Sequence, residues 1–188
     1  MSSKIDVRII KTKERLKNAL LESLKIKSLD QITISEICNK ASVNRNTFYS
    51  HYQSVNELLE EVEGQFLEGL MVRIHVDPST IDNVEPLMTE VFEFLLENKE
   101  MCRLLFMENG DKNFLKTIFM LVLPSAVQNW TEELNIPEEK ARKLFYFIIG
   151  GSINVIEHWV KSDFIDSPED LAHDLNLLIL KGQDVFVM

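Results

Sequence analysis

The sequence predicts an all-α fold of about nine helices. Apolar residues recur at spacings of three and four along most of the chain, no segment alternates apolar and polar residues as a half-buried strand would, and most apolar runs follow a recognisable helix start. Glycine (6) and proline (5) are scarce among the 188 residues, which suits helices joined by short turns.

The first helix is expected to end near Lys27. Ile9, Leu16, Ala19, Leu20 and Leu24 give it an apolar stripe, and Lys11, Lys13, Arg15 and Lys17 a cationic flank. Thr33-Ile34-Ser35-Glu36 has the form of a capping box, in which the Thr33 hydroxyl takes the Glu36 amide and the Glu36 carboxylate reaches back to the Thr33 amide. The helix it opens carries Ile34, Ile37, Cys38 and Ala41 and stops at Ser42-Val43; a third, short helix runs from about Asn44 to Tyr52. A second box, Ser54-Val55-Asn56-Glu57, starts a long helix through Leu58, Leu59, Val62, Phe66, Leu67 and Leu70 to about Ile74. Beyond the break at Asp77-Pro78-Ser79, helices are expected at about 84–98, 100–108 and 112–130, the last kinked or broken near Pro124. Pro137-Glu138-Glu139 and Ser167-Pro168-Glu169-Asp170 put proline and carboxylates at helix starts, opening helices over 138–161 and 168–182. The organisation expected is a three-helix head over 1–55 and a helical body over 56–188.

Charge is distributed unevenly. Residues 1–52 hold ten Lys/Arg against five Asp/Glu, whereas 53–188 hold ten against twenty-five, so the net charge of -10 conceals a basic head on an acidic body. A phosphate backbone could dock on such a head. The opening residues lead into a Lys/Arg-rich segment instead of an apolar signal, and the most apolar stretch, 118–127, is about half a membrane span and contains Pro124; a cytoplasmic protein with no membrane partner is expected. Cys38 and Cys102 lack the spacing of a metal or redox pair and suit core packing. HExxH, GxSxG, P-loop and GxGxxG patterns are absent, and His51, His75, His158 and His173 are scattered, so neither an enzyme nor a metal or cofactor site is expected.

Two helices joined by a short turn over 33–52 have the shape of a helix-turn-helix, whose second helix enters the major groove. At about 100° per residue, Phe48 and Tyr52 fall together with Asn44 close by, while Arg45, Asn46, Tyr49 and Ser50 cover the opposite arc. Arginine can take guanine O6/N7 through two bonds, asparagine adenine N6/N7, and threonine, tyrosine and histidine can bond phosphates. A solvated helix face would carry similar residues, but a solvent-facing tyrosine argues for a partner.

The run Ile34-Ser35-Glu36-Ile37-Cys38-Asn39-Lys40-Ala41-Ser42-Val43-Asn44-Arg45-Asn46-Thr47-Phe48-Tyr49-Ser50-His51-Tyr52, followed by Glu57-Leu58-Leu59, resembles the DNA-binding head of the TetR/AcrR family of transcription regulators over about Ile9 to Leu59. The resemblance implies that Thr47, Tyr49 and His51 contact phosphates, with Thr33 assisting at a helix N-terminus, and that Arg45 and Asn46 read bases, with Asn44 a further candidate set partly inward. It implies a ligand-responsive repressor acting as a homodimer on a palindromic operator. Two positions depart from the family pattern: Ser42 stands where glycine is common, and Val55 where a lysine often contacts phosphate. The second departure leaves an alternative, a coregulator acting through a protein partner with weak DNA binding.

In the family the last two long helices form the dimer. Here Leu144, Phe145, Ile148, Ile149, Ser152, Ile153, Val155, Ile156 and Trp159, with Gly150-Gly151, make one apolar stripe, and Leu171, Leu175, Leu178 and Ile179 another. An intramolecular core would show the same periodicity. Phe92, Met101, Phe106, Met107, Phe114, Phe119, Met120 and Trp130 are candidates to line a cavity for a small apolar effector, with a plain hydrophobic core as the alternative reading. Glu157 and His158 are polar neighbours that suit either a site or the surface.

Overall fold

A computed structural model describes residues 2–74, 84–106 and 113–187, with side chains described except at 2–6, 122 and 183–187. Among the described residues there are nine α-helices, one 3-10 turn and no strand. The Asp77-Pro78-Ser79 break, His75 and Met107 lie outside the described residues.

The chain divides into two compact units: residues 1–68 with 104–112, and 69–103 with 113–188. In the first unit α1 (Ser2–Leu24), α2 (Ile34–Ala41), α3 (Arg45–Tyr49) and the first turns of α4 (Val55–Arg73) surround a core in which Leu16, Leu20, Leu24, Ile37, Phe48 and Leu58 are fully buried. Each such side chain stabilises the fold by about 1.5–3 kcal/mol relative to exposure. Phe106 closes this core edge-on to Phe66, with ring centroids 5.9 Å apart.

Several local expectations are corrected here. Helix α1 ends at Leu24, three residues before Lys27, because the Ile26 and Lys27 amides both turn in to the Ser23 carbonyl at 3.0 and 3.1 Å. Ile9, assigned to the apolar stripe, is 39% exposed; the ion pairs from α1 to α4 begin only at Lys13. Thr33 caps α2 by accepting the Glu36 amide at 3.3 Å. The Glu36 carboxylate does not return to Thr33; it pairs with Lys27 at 2.6 Å and Lys40 at 3.7 Å. At α4 the Ser54 hydroxyl accepts the Glu57 amide at 3.1 Å, and the Glu57 carboxylate takes the Gln53 amide at 2.5 Å.

In the second unit α5 (Glu85–Glu97) packs on α9 (Pro168–Val187), and α8 (Glu138–Lys161) lies between α9 and α7 (Phe114–Glu133); α6 (Lys99–Phe106) follows α5 directly, its residues from Leu104 onward belonging to the first unit. The chain stays helical through Pro124, so α7 is not broken there: proline removes one backbone bond, while Leu123 and Val127 hold the helix against Ala141 and Phe145 of α8. The Trp159 ring is 1% exposed, meets Phe92 at 5.7 Å and Phe164 at 4.8 Å, and donates its Nε1–H to the Asp166 carbonyl at 2.9 Å. Asp163 and Phe164, at φ 61° and 58°, bring the chain round into α9; Arg103 ion-pairs with Asp163 and lies 5.7 Å over the Phe164 ring. Cys102 donates to the Leu95 carbonyl at 3.3 Å, and burial pushes its thiol up to about 12, so it stays protonated and structural.

Candidate nucleic-acid interface

The turn that aims α3 is built without glycine. Ser42 closes α2 with φ 51° and ψ 48°, a left-handed conformation that an L-residue with a side chain adopts at a cost of about 1–2 kcal/mol. Two features hold it there: the Val43 amide returns to the Cys38 carbonyl at 2.9 Å, and the Arg15 guanidinium donates to the Ser42 carbonyl at 2.9 Å. Ser42→Gly is therefore expected to raise stability by about 1 kcal/mol, read as a higher urea midpoint at unchanged slope.

Asn44 starts α3. It sits outside the helix as the N-cap, its Oδ1 accepting from the Thr47 amide at 2.7 Å and the Thr47 hydroxyl at 2.9 Å. It is exposed, not partly inward as the wheel placed it, because a cap residue has extended rather than helical dihedrals. Its oxygen is occupied by the helix, which leaves its amide N–H2 as the group free for a ligand. The Asn-x-x-Thr spacing carried this signal, but sequence reasoning gave both residues to DNA. The helix ends at Tyr49, not Tyr52, since the His51 and Tyr52 amides both converge on the Phe48 carbonyl at 2.9 Å.

Phe48 is fully buried behind this short helix, edge-on to Tyr49 at 5.9 Å and against Tyr52 at 5.8 Å. Tyr52 is also buried, and its hydroxyl donates to Glu61 at 3.1 Å on α4. Burial and the adjacent Glu61 carboxylate both push the Tyr52 phenol up, so it remains a donor. Burial opposes ionisation of Glu61, yet hydrogen bonds from Lys13 and Tyr52 and the charges of Lys13 and Lys17 outweigh it and hold the carboxyl below its usual value. On the opposite side of α3, Arg45, Asn46 and Ser50 are exposed and Tyr49 is 54% exposed, with Thr47 and His51 half-buried at the margins. Thr33 is exposed at the start of α2. The residues singled out in the head thus lie on two helix starts, one outward face backed by Phe48 and, for His51, the turn that follows α3.

The body places its candidates less compactly. Phe92 packs on Trp159 and Phe106 on Phe66, while Met120 and Trp130 share the α7–α8 cluster around Phe145. Met101 and Phe119 are half-buried and Phe114 is buried. Of the residues assigned to a subunit interface, Phe145, Ile156, Leu171 and Leu175 are only 2–6% exposed and serve the monomer's own core; Ile149 and Ile153 are half-buried, and Leu178 is 66% exposed. The periodicity that singled out these residues is largely that of the subunit's own core. The outward arc carries Phe147, 80% exposed, with Gly150, Gly151 and Asn154, and α9 adds the exposed Leu177 beside Leu178. Sequence reasoning missed Phe147 and Leu177. His158 is exposed and Glu157 half-buried beside Lys161.

An all-helical chain whose capped third helix shows a polar face over a buried aromatic anchor is a helix-turn-helix protein. Residues 82–181 match the TetR-type family model described as a transcriptional regulator C-terminal region, and the chain belongs to the TetR family of transcriptional regulators. It is 25% identical, over 84% of its length, to the HTH-type transcriptional regulator YxbF of Bacillus subtilis (strain 168), of which it spans 42%. It is 24% identical, over 94% of its length, to the HTH-type regulator YdgC of the same organism, of which it spans 97%. Among solved structures it is similar to a TetR transcriptional regulator from Streptococcus agalactiae 2603V, with TM-score 0.74, 23% identity, and 95% of this chain and 99% of that one covered. The dihydroxyacetone kinase operon activator DhaS gives TM-score 0.57 at 18% identity, with 93% and 97% covered. None of the described helices is long and apolar enough to cross a membrane.

Proposed function

We propose that the protein is a sequence-specific DNA-binding regulator that grips a palindromic operator as a homodimer in the cytoplasm, the head over 1–55 reading DNA and the body over 56–188 pairing the subunits and answering a small apolar effector. The observation that carries the reading is the outward face of α3, where Arg45, Asn46 and Tyr49 are exposed while Phe48 behind them is fully buried. Arg45 and Asn46 meet base edges, and Thr47, Tyr49, His51 and Thr33 meet phosphates. Asn44 acts chiefly as the cap that fixes the helix. Repression follows when the operator overlaps the promoter.

Dimerisation is assigned to the outward arc of α8 and α9. Phe147 and Leu178 each leave a large apolar side chain in water, and a Cβ added at Gly150 or Gly151 would meet no atom within 4 Å, so nothing inside the subunit requires either glycine. Two mid-helix glycines cost about 1 kcal/mol each, and close approach by a partner helix is the gain that offsets them. Effector response is assigned to the α7–α8 pair, where Met120 and Trp130 are half-buried beside Phe145.

Fluorescence anisotropy with DNA from upstream of the gene tests the reading at moderate salt. Arg45→Ala is expected to lower operator affinity by about 10- to 100-fold for each half-site, which loses one bidentate base contact, and to leave binding to a scrambled duplex unchanged. A second reading, coregulation through a protein partner, is favoured by the charge of the first unit: 53–68 adds five glutamates and no cation, which cancels the +5 of residues 1–52. Under that reading binding is weak and Arg45→Ala changes nothing.

A further inference from the structure

Because the first unit is nearly neutral, its few unpaired cations matter more than its total charge. Lys13 and Lys17 reach Glu61 at 2.6 and 3.8 Å, Lys27 and Lys40 reach Glu36, and Lys25 reaches Glu22 at 2.6 Å. Among the described residues of the first unit, Arg8, Lys11, Arg15 and Arg45 make no ion pair; Arg15 donates to the Ser42 carbonyl, whereas Arg8, Lys11 and Arg45 are exposed with neither an ion pair nor a side-chain hydrogen bond. Arg45 is on α3. The other two are on α1, and their position there is informative.

Helix α1 carries cations on two opposed sides. At about 100° per residue, Lys13 and Lys17 fall together and face α4, whereas Arg8, Lys11 and Arg15 fall within an arc of about 60° on the far side. Arg15 ties that side to the α2–α3 turn through the Ser42 carbonyl at 2.9 Å, three residues before Arg45. Arg15 also begins an open cleft of about 390 Å³, bordered further by Asn18, Glu22, Lys40 and Ser42, which continues the same flank of α1 along the end of α2. Arg8 and Lys11 therefore extend a cationic line that starts at the foot of the reading helix and runs back along α1 for roughly 10 Å at a rise of about 1.5 Å per residue.

We infer that Arg8 and Lys11 form a phosphate track, binding the DNA backbone beside the stretch read by α3. The occupant is nucleic-acid phosphate because Arg8 and Lys11 are exposed, unpaired and of one sign, and Arg15 joins them to the proposed reading face, while Glu22 further along the same arc is taken up by Lys25; exposed Val7 and Ile10 adjoin the pair but carry no part of the recognition. The track supplies backbone contacts that valine at position 55 cannot make. It rests on the DNA-binding reading above and adds to it a source of affinity without sequence preference.

Anisotropy titrations of the full chain across 50–200 mM salt, with upstream and scrambled duplexes of equal length, test it. The Arg8→Gln/Lys11→Gln variant is expected to lose about 3.6 from the slope of log affinity against log salt, from two phosphate contacts in each of two subunits at about 0.9 apiece, with affinity for both duplexes falling alike and the specificity ratio retained. Lys25→Gln, which removes a cation already paired, should leave the slope as it was. A double variant with unchanged slope, or one that alters the specificity ratio, overturns the track while Arg45→Ala still reports on base reading. If the unaltered protein shows no preference for upstream DNA and Arg45→Ala is silent, the DNA-binding reading fails and the track falls with it. Circular dichroism of each variant separates these results from unfolding.

Discussion

Phe48→Ala is expected to lower stability by about 3–5 kcal/mol, a fall in Tm on the order of 10 °C, and to abolish operator binding. The ring is fully buried, contacts Tyr49 and Tyr52 at 5.9 and 5.8 Å, and backs a helix of five residues. So short a helix has little stability of its own, since its few internal hydrogen bonds do not offset the entropy of ordering it. Its cap at Asn44 and its anchor at Phe48 hold it in place. Tyr49→Ala removes a ring of similar size one residue further on, from the exposed side. That change is expected to shift stability by no more than about 0.5 kcal/mol while weakening DNA binding. Differential scanning calorimetry and anisotropy on the two variants check the contrast; equal losses of stability would show that α3 is not anchored as described.

Under the proposed pairing through α8 and α9, Phe147→Asp is expected to give a monomer of 21.8 kDa by light scattering where the unaltered protein runs as a dimer, and to weaken operator binding by a factor of about 10²–10⁴. The ring is 80% exposed, so within one subunit the substitution removes almost no packing and stability of the isolated fold should hold. At a two-fold interface the same change appears twice and buries two unpaired carboxylates near each other. Phe145→Asp would instead unfold the α7–α8 cluster, since Phe145 is 2% exposed and packs beside Trp130 at 6.2 Å. A Phe147→Asp protein that remains dimeric would move the interface off this face.

The fold was legible because each start signal is local. Ser167, for example, accepts the Asp170 amide at 3.1 Å in the turn that opens α9, and Ser54 and Thr33 act likewise for α4 and α2. The outward face of α3 was legible for a similar reason: Phe48 and Tyr52 are the large apolar residues in a polar run, so the opposite side had to face water. Partners that depend on tertiary placement were not legible. Glu36 gave its carboxylate to Lys27 and Lys40 instead of completing a box, and Arg15 found a backbone carbonyl in the next turn but one. The body was ambiguous for a different reason. In a bundle helix both the core side and a subunit contact are apolar, so spacing could not tell Phe145 and Ile156 from Phe147. The charge of the compact first unit was not legible because its boundary is set by tertiary contacts: the +5 belongs to residues 1–52, and the unit continues through five glutamates of α4.

The most direct test of a reading helix on α3 is protection of guanine N7 from methylation on upstream DNA, comparing the unaltered protein with Arg45→Ala. Two protected patches should appear about one helical turn apart, and a guanine in each should regain full reactivity when Arg45 is replaced. Protection that is absent, or that persists unchanged in Arg45→Ala, would contradict the assignment of this face to DNA.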